Sequence, residues 1–133
     1  MAKRDPVVHF EMPYKDRDRL AKFYAKAFGW KMTKLGKEMG YYVTAATTET
    51  DQNNMVKRPG NINGGFYPRQ GYTGDACPSV VIAVENLEKA MKKVRAAGGK
   101  LLRKPTDIPG IGRFVSFRDT EGNRVSILQP KGM

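Results

Sequence analysis

The sequence predicts an α+β chain of two tandem strand–helix–strand–strand–strand modules, about residues 6–67 and 78–130, within one domain spanning 1–133. Three observations carry this expectation. A length of 133 residues is one domain's worth and can bury a core without disulfide or metal staples. A strand followed by a capped amphipathic helix occurs twice, with Asp16 mapping onto Asn86 and Gly29 onto Gly99. Each helix is followed by short alternating runs of the kind that form half-buried strands.

The first strand covers residues 7–15. Asp16 then suits a helix N-cap, because its carboxylate can accept an orphan backbone N–H. Leu20, Phe23, Tyr24, Ala27 and Phe28 recur at helical spacing, and Gly29 stops the helix. Strands are expected over 30–35, 39–46 and about 62–67. The polar segment 47–60 is a long connection, and connections of that length are usually functional or mobile. The stretch 68–78, with Gly71 and Gly74, reads as the linker between modules. In the second module 79–84 is a strand and Asn86 the N-cap. Leu87, Ala90, Met91, Val94 and Ala97 form the apolar stripe, and Gly98-Gly99 ends the helix. Strands follow at 100–104, 113–118 and 124–129, the last two joined in a hairpin by the turn 119–123.

Composition excludes several classes. The single Cys77 and single His9 rule out an internal disulfide framework, a Cys-rich zinc site and a two-histidine iron triad within one chain. There is no apolar run long enough to span a membrane, and the N-terminus carries no signal-peptide core, so a soluble cytoplasmic protein is expected. Lys and Arg number 24 against 13 Asp and Glu, a formal charge of +11 that attracts anions. The cations lie on helical faces rather than in an arm, and no nucleic-acid-binding motif accompanies them, so nucleic acid is not the expected partner.

Strand alternation assigns the faces. Phe10 and Met12 point one way, His9 and Glu11 the other. Val80, Ile82 and Val84 oppose Ser79, Val81 and Ala83; Val115 and Phe117 oppose Phe114 and Ser116; Val125 and Ile127 oppose Arg124, Ser126 and Leu128. The purely apolar sets should lie under the helices, and the mixed sets should form a pocket. His9 and Glu11 are the candidates for acid–base work, since an imidazole titrates near neutrality and a carboxylate beside it can share the proton. A Glu11–Arg124 ion pair is expected from the alternation. Tyr42, Phe114 and Trp30 are candidates for stacking on a planar ligand, and Ser79 and Ser126 for hydrogen bonds to it. Nothing marks Cys77 as a nucleophile.

The motifs His9-Phe10-Glu11-Met12-Pro13, Ala21-Lys22-Phe23-Tyr24, Phe28-Gly29-Trp30, Gly98-Gly99-Lys100 and Asp119-Thr120-Glu121-Gly122-Asn123-Arg124 resemble the glyoxalase / bleomycin-resistance / dioxygenase superfamily, the vicinal oxygen chelate proteins. The subgroup is the one related to lactoylglutathione lyase, and the resemblance covers nearly the whole chain. It implies βαβββ modules whose curled mixed sheets form a cup, and a homodimer. It also implies four metal-ligand positions. His9 matches the first of these. Ser79 stands where a second histidine usually does, Ser126 stands where a glutamate does, and the remaining position falls on Gly64 or Gly65. Serine is a poor ligand for a divalent cation, so no metal or other cofactor is expected.

Three functions remain open. The first is binding of a small anionic or aromatic molecule in the cup without a tightly held metal. The second is a lyase, isomerase or dioxygenase-like enzyme acting on a small oxygen-bearing metabolite through His9 and Glu11. The third is a basic module that binds nucleic acid.

Overall fold

The computed structural model describes residues 4–69 and 76–131. The chain divides into two units, His9–Pro78 and Ser79–Met133, the latter joined by Met1–Val8.

The first module runs β1 (Val7–Tyr14), α1 (Arg17–Phe28), β2 (Lys31–Lys34), β3 (Val43–Ala46) and β4 (Asn63–Pro68). Its strands lie in the order β2-β3-β4-β1; β1 and β4 are parallel and the other neighbours antiparallel. Asp16 caps α1 by accepting a hydrogen bond from Arg19 N at 3.0 Å, and Gly29 ends it in the left-handed region at φ 72°. The core is aromatic. Val43, Ala45 and Phe66 are buried, and Phe10, Met12, Leu20, Tyr24 and Trp30 pack against them. Tyr24 stacks on Trp30 at 4.7 Å between ring centres. No residue of α1 is fully buried.

The second module runs β5 (Ser79–Ala83), α2 (Leu87–Ala96), β6 (Lys100–Leu101), β7 (Thr106–Ile108), β8 (Gly112–Arg118) and β9 (Arg124–Pro130). The order is β5-β9-β8-β6, with β7 also on β8. Again the first strand of the module lies parallel to the last, here β5 and β9. Asn86 Oδ1 accepts from Lys89 N at 3.0 Å at the start of α2. Here the core is aliphatic: Val84, Leu87, Met91, Val115 and Ile127, with Ile82, Ala90, Leu101 and Phe117 against it.

Several expectations need correction. The strand expected over 39–46 is shorter, because a 3-10 turn occupies Lys37–Met39 and Gly40 and Tyr41 both take positive φ. This reversal hands the chain to Tyr42, whose backbone pairs with Leu35 at 2.8 Å. The strand expected over 100–104 stops at Leu101, and β7 was not foreseen; three residues around Asp107 are too few to show alternation. Val80, assigned to the helix-covered face, is 36% exposed. Trp30 belongs to the core rather than to a ligand-stacking set. The expected linker 68–78 lies largely outside the described residues. The long connection 47–60 is tied at its base, where Asn63 Oδ1 accepts from Thr47 N at 2.7 Å and Thr48 N at 3.0 Å.

Candidate functional site

Residues β1 and β4 run parallel with His9 opposite Asn63 and Glu11 opposite Gly65. Alternation then sends Phe10 and Met12 into the core under α1 and leaves His9 and Glu11 on the other face. Onto that face the Gly40–Tyr41 reversal delivers Tyr42. The Tyr42 hydroxyl donates to Glu11 Oε2 at 2.9 Å and lies 3.0 Å from His9 Nε2. A hydroxyl has one proton, so with that proton on Glu11 the His9 Nε2–H is the donor to the Tyr42 oxygen. The neutral imidazole therefore carries its lone pair on Nδ1, which takes no hydrogen bond from any described residue.

Burial sets the charge states. Removal from water holds the His9 pKa below its ordinary value of 6.5, because the charged imidazolium loses hydration. Burial also pushes the Tyr42 hydroxyl far above an ordinary phenol, and the adjacent Glu11 carboxylate adds to the effect. At neutral pH the imidazole is thus neutral and the phenol protonated.

Gly65 makes this arrangement possible. A Cβ there would lie 2.1 Å from the Tyr42 hydroxyl, whereas one on Gly64 would lie 2.3 Å from the Phe10 ring. Of the two glycines at the family's remaining ligand position, Gly65 is the one on the His9 and Glu11 face, and the Tyr42 ring fills the space that a side chain would need. Sequence reasoning named Tyr42 as a stacking residue and missed its bridging role. The signal was faint: two glycines on β4 opposite two polar residues on β1.

The donor set does not suit a divalent cation. His9 Nε2 and Glu11 Oε2 both address the Tyr42 hydroxyl, so a metal held between them would have to displace it. Among the described residues no three of His, Cys, Asp or Glu gather at one point.

The remaining candidates lie on the second module. Ser126 of β9 is fully buried, and its hydroxyl is 2.8 Å from that of Ser116. Ser79 Oγ on β5 is buried without a hydrogen-bond partner among the described residues. Phe114 and Arg124 are half-buried on β8 and β9, where Arg124 stands opposite Arg118. Cys77 is exposed, and its carbonyl accepts from the Tyr67 hydroxyl at 3.2 Å. Two cavities lie within the modules, one lined by Tyr14, Lys15, Arg17, Tyr41, Pro68 and Arg69, the other around β7 and the end of β9. Neither is lined by His9, Glu11 or Tyr42. No described helix is long and apolar enough to cross a membrane.

A lactoylglutathione lyase of Oryza sativa subsp. japonica is 28% identical over 93% of this chain and 44% of its own length. The chain therefore spans less than half of that relative. A glyoxylase-like domain-containing protein of Didymella fabae is 29% identical over 92% of this chain and 91% of its own. The solved methylmalonyl-CoA epimerase from Mycobacterium tuberculosis shares the fold, with a TM-score of 0.68 at 15% identity over 98% of this chain and 93% of that one. The profile of the Glyoxalase/Bleomycin resistance protein/Dioxygenase superfamily matches residues 7–127, and the chain belongs to that superfamily.

Proposed function

We propose that the chain binds a small oxygen-bearing molecule, anionic or aromatic, on the His9 and Glu11 face of the first module, without a tightly held metal. The observation that carries this reading is the Tyr42 hydroxyl seated between His9 and Glu11. It engages His9 Nε2 and Glu11 Oε2, and it orients the imidazole so that Nδ1 is left as an acceptor for a ligand hydroxyl or acid proton. A basic chain favours an anionic ligand on approach.

A second reading is proton transfer by His9. The same Nδ1 favours it: a base oriented by a second group, itself bonded to a carboxylate, follows the logic of hydrogen-bonded catalytic triads. Relatives named for lactoylglutathione and methylmalonyl-CoA supply the first compounds to try. A cytoplasmic homodimer belongs to the same proposal, supported by Phe23 and Phe28, which α1 leaves 57% and 64% exposed.

The test is thermal unfolding of the untagged protein with lactoylglutathione, methylmalonyl-CoA and small hydroxy acids. Each is tried with a chelator and with zinc, nickel or manganese, beside His9→Ala and Tyr42→Phe. The proposal expects a ligand-induced rise that survives chelator and is lost in both variants. Near-stoichiometric metal in the wild type that disappears in His9→Ala would overturn it. Turnover of a probe, abolished in His9→Ala, would select the second reading.

A further inference from the structure

We propose that the first module carries a separate binding site, on its helix-bearing face, for a nucleotide-sized planar organic phosphate. β1 alternation separates it from the site above: Tyr14 lies on the side of Phe10 and Met12, which face α1, whereas His9 and Glu11 face away. The site is a cavity of about 500 Å³ lined by Tyr14, Lys15, Arg17, Tyr41, Pro68 and Arg69. That volume falls in the range of small-molecule pockets, roughly 300–1,000 Å³.

The lining specifies the ligand. Among the described residues it holds three cations and no carboxylate. None of the three cations is in an ion pair with a described residue. Asp16, which lies between Lys15 and Arg17 in sequence, turns its carboxylate to the Arg19 N–H as the α1 cap, and Asp18 pairs with Lys34. The positive charge is therefore uncompensated among the described residues, and an anion is its complement. Convergence of the cations on one cavity, rather than along a stripe, fits a small ligand and not a polynucleotide.

The two tyrosines add a planar requirement, and they are held in place. Tyr41 takes the left-handed backbone conformation at φ 57°, which a tyrosine adopts only when its surroundings impose it. The Tyr14 hydroxyl holds that conformation by donating to Tyr41 O at 2.7 Å. Arg17 donates from Nη1 to Leu35 O at 3.0 Å and lays its guanidinium 5.6 Å from the centre of the Tyr41 ring. Only one of its five N–H donors is engaged there, so the guanidinium is oriented with donors to spare for a phosphate. An aromatic group against the tyrosine rings, with its phosphate toward Arg17, Lys15 and Arg69, satisfies the whole lining.

The test is calorimetric titration of the full chain with adenosine 5′-monophosphate, adenosine and inorganic phosphate at matched ionic strength. Arg17→Ala and Arg69→Ala are compared with a remote charge control, Lys92→Ala/Lys93→Ala on α2. Arg69 is exposed, so its replacement leaves the fold intact even where Arg17→Ala loosens the Leu35 contact. The expected result is one saturable site for the nucleotide, with adenosine and phosphate each at least tenfold weaker. Arg69→Ala should weaken the nucleotide at least tenfold and the control less than twofold. Failure of the nucleotide to saturate overturns the proposal, as does equal weakening in Arg69→Ala and the control, or phosphate binding as tightly as the nucleotide. His9→Ala, which tests the other site, plays no part in this outcome.

Discussion

In the first module the core is a cluster of rings, Phe10, Tyr24, Trp30 and Phe66, beneath a helix with no fully buried residue. In the second it is aliphatic, and α2 seats Leu87 and Met91 in it. The polar faces differ in the same sense. The first module places His9, Glu11 and Tyr42 in one hydrogen-bonded chain. At the positions matching His9, Glu11 and Gly65 the second module has Ser79, Val81 and Ser126, and Ser126 is closed off against Ser116. The two copies of one strand–helix plan thus differ: the first holds a chain of polar groups, the second packs its serine away. The site proposed above lies on the module whose helix packs less deeply, as expected if functional regions sit at the low-stability end of a structure.

The sharpest way to break this contrast is to truncate one residue on each helix. Leu87 is completely buried, and Leu87→Ala should cost about 2–5 kcal/mol, since the transfer free energy is lost and a cavity remains. Phe23 on α1 is 57% exposed, and Phe23→Ala should cost less than about 1 kcal/mol. Urea unfolding of both variants checks the pair. A Phe23→Ala loss as large as that of Leu87→Ala would show that α1 is packed as firmly as α2.

A smaller effect sharpens the chemical half. In Gly65→Ala the new methyl group would meet the Tyr42 ring and hydroxyl at 2.1 Å. Tyr42 must move, the chain to His9 and Glu11 breaks, and stability should fall by about 1–3 kcal/mol. Tyr42→Phe/Gly65→Ala should be no less disrupted in packing, so the informative readout is the imidazole: proton NMR of the single histidine should show a changed titration in Gly65→Ala. An unchanged His9 signal would disconnect Gly65 from the site.

The smallest effect is the pH dependence. Burial lowers the His9 pKa in the folded state below 6.5. Between that lowered value and 6.5 the unfolded chain binds the proton and the native chain does not, so stability rises with pH through this window and the His9 contribution is level above it. Comparing unfolding from about pH 5 to about pH 8 in wild type and His9→Gln isolates the contribution, because no other histidine titrates there. An identical slope in both proteins would mean that His9 is as hydrated folded as unfolded.

Much of this architecture was legible from local chemistry. Asp16 and Asn86 cap their helices, Gly29 stops the first, and the 119–123 turn closes the last hairpin, because each of these depends on a few neighbouring residues. The alternation of Phe10 and Met12 against His9 and Glu11 was equally legible, since a strand's period is two wherever it lies. The expectation of no metal rested on the serines and glycine that the sequence has at three of the four ligand positions implied by the family resemblance.

The tertiary structure decided what those residues meet. Tyr42 reaches His9 and Glu11 across 33 and 31 positions of sequence, through a reversal at Gly40 and Tyr41 and a gap left by Gly65 on a third strand. The basic cavity likewise gathers Tyr14, Arg17, Tyr41 and Arg69 from the end of β1, the start of α1, the loop before β3 and the end of β4. Caps, periods and turns are short-range and are written in consecutive residues. A hydrogen-bonded relay and a charged cavity depend on strand register and backbone reversals that bring distant residues together, and no local pattern encodes which of them will touch.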